Sequence, residues 1–397
     1  MARQSRRRTV RGKSGRGNGN GGAGGRSRSA SAKGKVRYAV IGLGHIAQVA
    51  VLPAFKNARK NSVLTALVSD DGQKLKALGR RYKVPYLVTY EQADALFRTG
   101  ELDAVYIALP NDLHAEWTIK AANAKLHVLC EKPMATSSED CGQMIRACEG
   151  NGVKLMIAYR LHFERANLEV AEIVRRRRIG DARFFDSQFT MQVKEGNIRT
   201  QAERGGGPEW DIGIYCQNAA RYLFAEEPAQ VWATEVNSGD KRFREVPETV
   251  MAVMKFPEQD RLAMFVCSFG AADRSRYEVV GTKGAVVMDP AYEYAEGLKY
   301  ELAIGEKQRV KQFRKSDQFA PELIYFSDCV LRNRDPEPSG TEGLIDVLII
   351  EAMHRSMRSG TWEAVRVLER RRRPTLQQEI RKPGHEKPET VNVQQPH

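Results

Sequence analysis

The chain has 397 residues and a mass of 44.6 kDa. A single hydrophobic core stops growing at roughly 250–300 residues, so we expect this longer chain to form two domains. No apolar run approaches the ~18–20 residues that a membrane-spanning helix needs, and this excludes an integral membrane protein. The net charge of +14 lies at the two ends, because residues 1–37 carry +12 and residues 361–397 carry +3, whereas residues 38–360 carry −1. The six cysteines are scattered, with no CxxC spacing and no His/Cys cluster, so the sequence predicts neither a disulfide framework nor a metal site.

Residues 1–35 are predicted to form a disordered basic arm, because they are rich in Arg, Gly and Ser and contain few apolar side chains. Three arginines at 6–8 are not followed by the apolar stretch of an export signal, so we expect a cytoplasmic protein. Such an arm could bind nucleic acid, but it has no interleaved aromatic residue for base stacking, and a solvated extension is the better interpretation. Residues 363–397 are expected to form a polar, loosely ordered tail.

Between residues 36 and 158 short apolar runs alternate strictly with helical patterns. The predicted strands are Val36–Ile41, Val63–Val68, Tyr86–Val88, Ala104–Ala108, Leu126–Cys130 and Val153–Ala158. Alternation with short connections is typical of an α/β domain with a doubly wound parallel sheet.

A glycine-rich turn follows the first predicted strand directly and opens a helix. It reads Gly42-Leu43-Gly44-His45-Ile46-Ala47, the dinucleotide-binding pattern with Ala in its third place. In this pattern the first glycine allows the tight turn, the second lets the backbone approach a pyrophosphate, and the small third residue lets helix and strand pack closely. We therefore predict a nicotinamide dinucleotide site in residues 36–158.

The end of the second strand bears on which dinucleotide binds. Asp70 and Asp71 could accept hydrogen bonds from the ribose hydroxyls of NAD. Ser69 and Lys74 could instead bind the 2′-phosphate of NADP. On this chemistry alone both cofactors remain open.

From about Arg183 the pattern changes to strand-like runs without alternating helices. These runs are Phe184–Val193, Ala229–Val236, Val250–Phe256, Leu262–Ser268, Tyr277–Val280 and Ala285–Met288. They predict a mostly antiparallel sheet in an α+β domain over residues 159–362, with two closing helices near Pro321–Arg332 and Gly343–Ser359.

Two further motifs carry candidate chemistry. Glu131-Lys132-Pro133 follows the fifth strand, at the sheet edge that faces the ligand crevice. Lys132 could reach a substrate hydroxyl from there, and burial beside a cationic nicotinamide could lower the pKa of Lys132. The segment Gly205–Tyr215 begins with three glycines, and its Asp211 and Tyr215 would project from one face of a helix. If they meet Lys132, the three side chains form a proton-transfer group; taken alone, a capping aspartate and a core tyrosine explain the segment better.

The three motifs together resemble the glucose–fructose oxidoreductase, inositol dehydrogenase and MocA family over roughly residues 35–362. The resemblance implies a Rossmann domain followed by a domain with an open, mostly antiparallel sheet that often forms homo-oligomer interfaces. Three segments, Ala158–His162, Asp211–Tyr215 and Asp317–Phe319, are most similar to the glucose–fructose oxidoreductase branch, in which Tyr replaces the His of most members at the position of Tyr215.

The resemblance also implies roles for individual residues. Lys132 is expected to be the catalytic lysine, Tyr215 the proton acceptor or donor, and Asp211 a residue that orients substrate or supports the lysine. Tyr159 and His162 are expected to contact substrate beside these three. The residues expected to bind the cofactor are Gly42, Leu43, Gly44, His45, Ile46, Ser69, Lys74, Leu109, Pro110, Asn111, His114, Glu131, Lys132 and Arg160. The branch favours NADP, although Asp70 departs from its pattern and keeps NAD open.

The leading hypothesis is therefore an NAD(P)-dependent oxidoreductase that acts on a CH–OH group of a sugar or polyol. A regulator that only senses the cofactor is disfavoured by the presence of Lys132, Asp211 and Tyr215. A nucleic-acid-associated protein is disfavoured by the nearly neutral body of the chain. The sequence leaves open whether the cofactor is released in each turnover.

Overall fold

The computed structural model describes residues 34–368 and 372–394. The predicted basic arm therefore lies outside the described residues except for Gly34 and Lys35, and so do residues 369–371 and 395–397 of the predicted tail. Within the described ranges no helix is both long and apolar enough to cross a bilayer.

The first sheet has six parallel strands in the order β3-β2-β1-β4-β5-β6. Its strands are β1 Val36–Ile41, β2 Ser62–Val68, β3 Tyr86–Val88, β4 Ala104–Ile107, β5 His127–Glu131 and β6 Leu155–Ala158. Its helices are α1 Leu52–Ala58, α2 Gly72–Tyr82, α3 Ala93–Phe97, α4 His114–Asn123 and α5 Ser138–Asn151. The predicted doubly wound parallel sheet is confirmed.

The strand order reverses between β1 and β4, which lie side by side although β2 and β3 separate them in the chain. All four residues of β4 are buried and apolar, as expected for a central parallel strand that is covered on both faces. A crevice opens at the carboxyl ends of the strands at such a reversal, and ligands of open α/β sheets bind there.

The second sheet has nine strands in the order β14-β13-β12-β11-β7-β10-β9-β8-β15, and every pair is antiparallel except β7 with β10. Its strands are β7 Ala182–Gln192, β8 Gln230–Val236, β9 Thr249–Phe256, β10 Arg261–Ser268, β11 Gly270–Gly281, β12 Gly284–Met288, β13 Lys299–Ile304, β14 Lys307–Gln312 and β15 Glu363–Ala364. The remaining helices are α6 Arg165–Arg175, α7 Ile214–Phe224, α8 Ala320–Leu331 and α9 Gly340–Ser359. The predicted mostly antiparallel sheet is also confirmed.

Helix α8 follows the second sheet in the chain but packs against the first. The hydroxyls of Tyr38 on β1 and Ser327 on α8 are 2.8 Å apart, and the Ser327 hydroxyl is also 2.8 Å from that of Ser62 on β2. These buried contacts fix helix α8 to the first sheet.

The C-terminal residues differ from the expected loose order. Residues 383–392 run back across the first sheet's helices and make specific hydrogen bonds there. Asn57 donates to the Pro383 carbonyl at 3.0 Å, and Arg81 donates to the Glu389 carbonyl at 2.6 Å. These bonds join side chains to main-chain groups, so an amino-acid composition poor in apolar residues does not reveal them.

Candidate active site

A cavity of about 620 Å³ lies at the carboxyl ends of the parallel strands, between the two sheets. The glycine-rich turn, the loops after β4 and β5, and the segment before α7 all contribute to its lining. This is the crevice that the strand order predicts.

The glycine-rich turn has the geometry that a dinucleotide requires. Gly42 has φ +88°, and a Cβ there would lie 2.5 Å from the carbonyl oxygen of Ala108, so a larger residue would clash. A Cβ on Gly44 would meet no atom within 4 Å, so its backbone faces open space in the cavity. The turn therefore leaves room for a pyrophosphate beside the main chain, and these residues fit a nicotinamide dinucleotide.

The residues that follow β2 line one end of the cavity. Ser69 and Lys74 face it, whereas the carboxylate of Asp70 accepts a hydrogen bond from the backbone N–H of Tyr90 at 3.0 Å. Asp71 caps helix α2 by accepting from the N–H groups of Gln73 and Lys74, and the bond from Lys74 is the main cause that lowers the pKa of Asp71. Both carboxylates are thus engaged by backbone groups, and a hydroxyl and an ammonium remain on the cavity wall.

The loops after β4 and β5 are tied together by one buried histidine. The ring nitrogens of His114 lie 2.8 Å from the Pro133 carbonyl and 3.0 Å from the Leu109 carbonyl, and burial lowers the pKa of His114. Glu131 accepts a hydrogen bond from the Tyr106 hydroxyl at 2.7 Å, and burial raises the pKa of Glu131. The Lys132–Pro133 peptide bond is cis.

Lys132 and Asp211 are in direct contact. The Lys132 Nζ donates to the backbone carbonyl of Asp211 at 2.7 Å and to its carboxylate Oδ1 at 3.2 Å. Burial alone would lower the pKa of Lys132, but the Tyr215 phenol and the Asp211 carboxylate outweigh it and the pKa is raised. In this arrangement Lys132 is therefore a charged hydrogen-bond donor, and the lowering expected beside a cationic nicotinamide stays a prediction.

Tyr215 lies in the first turn of α7, between two cations. The Lys132 ammonium is 4.8 Å from the centre of its ring, and the Arg160 guanidinium is 4.9 Å from it. Arg160 is itself held by hydrogen bonds to the Gln318 side chain and the Tyr292 carbonyl. Phe189 and Tyr292 flank the ring of Tyr215 with centroid distances of 5.7 Å and 6.0 Å.

Asp211 lies in a π-helical turn, Glu209–Gly213, just before α7, and its carboxylate bridges two cations. The Nε of Arg199 lies 2.5 Å from Oδ2, and Lys132 faces Oδ1. Burial alone would raise the pKa of Asp211, but Arg199 and Lys132 outweigh it and hold the pKa well below its ordinary value. Asp211 is therefore ionised.

The segment of three glycines is joined to the loop after β4. Asn111 donates to the Gly205 carbonyl at 2.8 Å, and Arg204 pairs with Asp112 at 3.0 Å. Gly205 and Gly207 have φ +71° and +128°, values that favour glycine. These contacts place Asp211 and Tyr215 opposite the cofactor loops.

The structure brings nearly all the predicted site residues together. The following predicted residues line the cavity: Gly42, Leu43, Gly44, His45, Ile46, Ser69, Lys74, Leu109, Pro110, Asn111, His114, Glu131, Lys132, Arg160, Asp211 and Tyr215.

Tyr159 and His162 do not belong to this lining. The Tyr159 hydroxyl donates to Asp346 at 2.6 Å, and the His162 ring lies 2.8 Å from the Asn218 amide oxygen. Both polar groups face a buried ionic network around Arg221, because the short turn that follows β6 directs them inward. This placement disagrees with the expected substrate contact.

Several residues of the cavity were not predicted from the sequence: Phe189, Asn197, Arg199, Arg204, Tyr292, Tyr294 and Asn392–Gln394. Phe189 lies in β7, and the others lie outside the named helices and strands, where no fixed spacing marks them. The one available signal was chemical, since a buried aspartate beside a lysine needs further hydrogen-bond donors.

Comparison with known families agrees with this geometry. Residues 36–159 match the model of the Gfo/Idh/MocA oxidoreductase family, NAD-binding Rossmann fold. Residues 167–287 match the model of the Gfo/Idh/MocA C-terminal domain.

Individual relatives are similar over most of the chain. D-xylose 1-dehydrogenase [NADP(+)] from Haloarcula marismortui is 31% identical, covering 81% of this chain and 91% of the relative. The crystal structure of aldose-aldose oxidoreductase from Caulobacter crescentus complexed with glycerol is 37% identical with a TM-score of 0.80, covering 83% of this chain and 100% of the other. A 3-ketoreductase from Actinomadura kijaniata in complex with NADP and TDP-benzene is 26% identical with a TM-score of 0.74, covering 81% and 98%.

Proposed function

The chain belongs to the Gfo/Idh/MocA oxidoreductase family, and from this premise we propose that it is an NADP-dependent oxidoreductase acting on a CH–OH group of a sugar. The observation that carries the proposal is the contact of Lys132 with Asp211 beside Tyr215, in the same cavity as the glycine-rich turn. When bound, the nicotinamide accepts the hydride in sugar oxidation and supplies it in carbonyl reduction.

The side chains of this chain handle the proton. In the oxidation direction Tyr215 with a deprotonated oxygen takes the proton from the substrate hydroxyl, and in reduction Tyr215 with its hydroxyl intact gives that proton to the carbonyl oxygen. Lys132 and Arg160 lie beside the ring and stabilise the negative charge of the deprotonated oxygen. Asp211 acts by orienting Lys132, because its carbonyl and its carboxylate both accept from the ammonium.

The residues after β2, at the end of the cavity where the adenosine would bind, favour NADP over NAD. Asp70 lies outside the lining of the cavity, and one oxygen of its carboxylate accepts from the Tyr90 N–H. Ser69 and Lys74 line that end of the cavity and offer a hydroxyl and a cation to a 2′-phosphate. The relative from Haloarcula marismortui is named for NADP, which agrees with this preference.

The charged residues that line the cavity favour a free sugar as the substrate over a sugar that carries a diphosphate group. Its three arginines are already engaged: Arg160 with Gln318, Arg199 with Asp211 and Arg204 with Asp112. Asp273, Glu293 and Glu296 also line the cavity, where carboxylates accept from sugar hydroxyls and repel phosphate. A free aldose, such as the D-xylose in the name of the relative from Haloarcula marismortui, fits this lining better than a nucleotide-linked sugar.

We also propose that the enzyme is a homo-oligomer through the outer face of the second sheet. Phe184 on β7 pairs in register with Leu262 on β10, and both are about 40% exposed. Met251 and Met264 extend the same exposed apolar surface onto β9 and further along β10. A contiguous apolar patch of this kind is typical of a subunit interface.

Purification of the full chain followed by cofactor and substrate assays tests the proposal. The absorbance and the extracted mass of any co-purifying nicotinamide would identify the cofactor, and a panel of aldoses, polyols and a dTDP-sugar would identify the substrate class. We expect NADP and turnover of a free aldose. A chain that binds neither dinucleotide, or that turns over only the dTDP-sugar, would contradict the proposal.

A further inference from the structure

The wall of the cavity beside the adenosine end is completed by the last described residues of the chain. Asn392, Val393 and Gln394 line the same cavity as Ser69, Lys74 and the glycine-rich turn. We call residues 389–394 the C-terminal strap.

The strap is anchored to the nucleotide-binding turn by one buried amide. Gln48 is fully buried, and its Oε1 accepts from the Val391 N–H at 2.8 Å. Its Nε2 donates to the Val391 carbonyl and to the Leu43 carbonyl of the glycine-rich turn, both at 2.9 Å. A single side chain therefore fixes the strap to the loop that cradles the pyrophosphate.

The strap also reaches both walls of the crevice. On the side of the first sheet, Asn392 donates to the Gln73 side chain at 2.8 Å and contacts Asp71 at 3.3 Å. On the side of the second sheet, Gln394 lies 3.5 Å from the Glu195 carbonyl. The strap thus crosses the cavity from α2 to the loop after β7.

Further bonds hold the first residue of the strap and the segment that leads into it. The Arg81 guanidinium binds the Glu389 carbonyl, and Asn57 and the Asp317 N–H bind the carbonyls of Pro383 and Lys382. Because the chain is attached at several points before it reaches the cavity, the strap is held in place at little further cost in chain entropy.

We propose that the C-terminal strap is part of the cofactor site, covering the adenosine half of the bound dinucleotide and slowing its release. This inference rests on the proposed function, since it requires that the cavity holds NADP. A dinucleotide seated between the glycine-rich turn and Lys74 can leave only after the strap has separated from Gln48 and Asn392 from α2.

The test compares the rates at which bound NADPH dissociates when it is chased with excess NADP and followed by its fluorescence. A chain ending at Pro388 lacks the strap, whereas a chain ending at Gln394 keeps every described strap contact and serves as the matched control. We expect the shorter chain to release NADPH at least about tenfold faster than the full chain, since it loses more than one hydrogen bond. The control chain should release NADPH at a rate within about twofold of that of the full chain.

Val391→Pro is a second variant that leaves the length unchanged. Proline has no N–H to donate to the Gln48 Oε1, so release should again be faster, by about tenfold. If the chain ending at Pro388 proves unfolded by circular dichroism, this variant decides the outcome. If Val391→Pro, and the shorter chain when it is folded, release NADPH at the rate of the full chain, the proposed role of the strap is wrong.

Failure of the strap and failure of the proposed function give different results. A full chain that binds no NADPH, or that transfers no hydride to or from any sugar, refutes the proposed function. A full chain that binds NADPH and turns over, but releases it at the same rate in every variant, refutes the strap alone.

Discussion

The guanidinium of Arg199 is paired with the carboxylate of Asp211, and its Nε lies 2.5 Å from Oδ2, the oxygen opposite the one that faces Lys132. Asp211 is therefore fixed from both sides. Arg199 also lines the cavity, and its shortest side-chain hydrogen bond is to Asp211, so we expect it to act chiefly as a residue that positions Asp211.

Replacing Arg199 by Met should lower kcat/KM by about 10²-fold, because Asp211 would then hold Lys132 less firmly. The pH profile separates this role from a purely structural one. The pKa of Asp211 in the folded protein lies below the ordinary pKa of an aspartate. Asp211 is therefore ionised at a pH equal to the ordinary pKa or above it, and it takes up a proton only as the pH falls towards its own lower pKa. Removal of Arg199 raises this pKa, and the acid limb of kcat/KM should move to higher pH.

Arg199→Lys is the conservative control. It keeps a positive charge beside Oδ2 and should restore part of the rate and return the acid limb towards that of the wild type. An Arg199→Met enzyme whose rate falls with no change in the acid limb would contradict the coupling through Asp211.

Lys132→Met should retain the fold and NADPH binding but lose about 10²–10⁴-fold in turnover, the usual range for a group that assists proton transfer. Lys76→Met is the matched control, since Lys76 lies on the exposed face of α2. Steady-state rates, with NADPH titrations on the same samples, make the comparison. Nearly normal turnover of Lys132→Met on the true substrate would show that the lysine is not catalytic.

Tyr215→Phe keeps the ring that packs against Phe189 and Tyr292 but removes the hydroxyl. We expect kcat to fall by about 10²–10⁴-fold while the melting temperature stays close to that of the wild type. Single-turnover measurements of hydride transfer from bound NADPH would report the chemical step directly. If kcat is unchanged, another group must transfer the proton.

Much of the fold could be predicted because the parallel strands are buried on both faces and read as short apolar runs. The runs of β1 and β3 have the predicted bounds, and those of the other first-sheet strands differ by one or two residues. The glycine-rich turn and Glu131–Pro133 are local motifs, so their place at strand ends fixed their position in the cavity.

Other features depend on contacts that are distant in the chain. Helix α6 was not predicted as an element, although it has a buried apolar stripe at helical spacing, because charged residues interrupt it in the sequence. Arg199 reaches Asp211 from a loop, and the Gln48–Val391 bonds join residues 343 apart. No local pattern encodes such pairs, so only the folded chain reveals them.

The proposed oligomer can be tested by placing a charge on the apolar face of the second sheet. Leu262→Glu should dissociate the assembly, because burying an unpaired carboxylate in an apolar interface costs several kcal/mol. Leu87→Glu is the control, since Leu87 is 40% exposed on β3, an edge strand of the first sheet and not of the second. Light scattering coupled to size exclusion gives the masses. A monomeric wild type, or an unchanged mass for Leu262→Glu, would exclude this interface.

Cofactor preference is predicted to depend on Lys74. Its ammonium lies 3.7 Å from the Asp71 carboxylate and lines the adenosine end of the cavity, where the 2′-phosphate of NADP would be its stronger partner. Lys74→Ala should therefore raise the NADP dissociation constant by about 10–100-fold, the value of one or two charge-assisted hydrogen bonds, and change that of NAD by less than about threefold.

The control for this change lies two residues further along the same helix. Lys76→Ala removes an equal charge from the exposed face of α2, so it reports the long-range electrostatic effect alone, which salt screens. Fluorescence titrations of both variants with NADPH and NADH at two salt concentrations separate the contributions. Equal weakening of both cofactors by Lys74→Ala would mean that the lysine does not contact the 2′-phosphate. Tighter binding of NAD than NADP by the wild type would mean that Asp70 leaves its bond to the Tyr90 N–H and controls the ribose site.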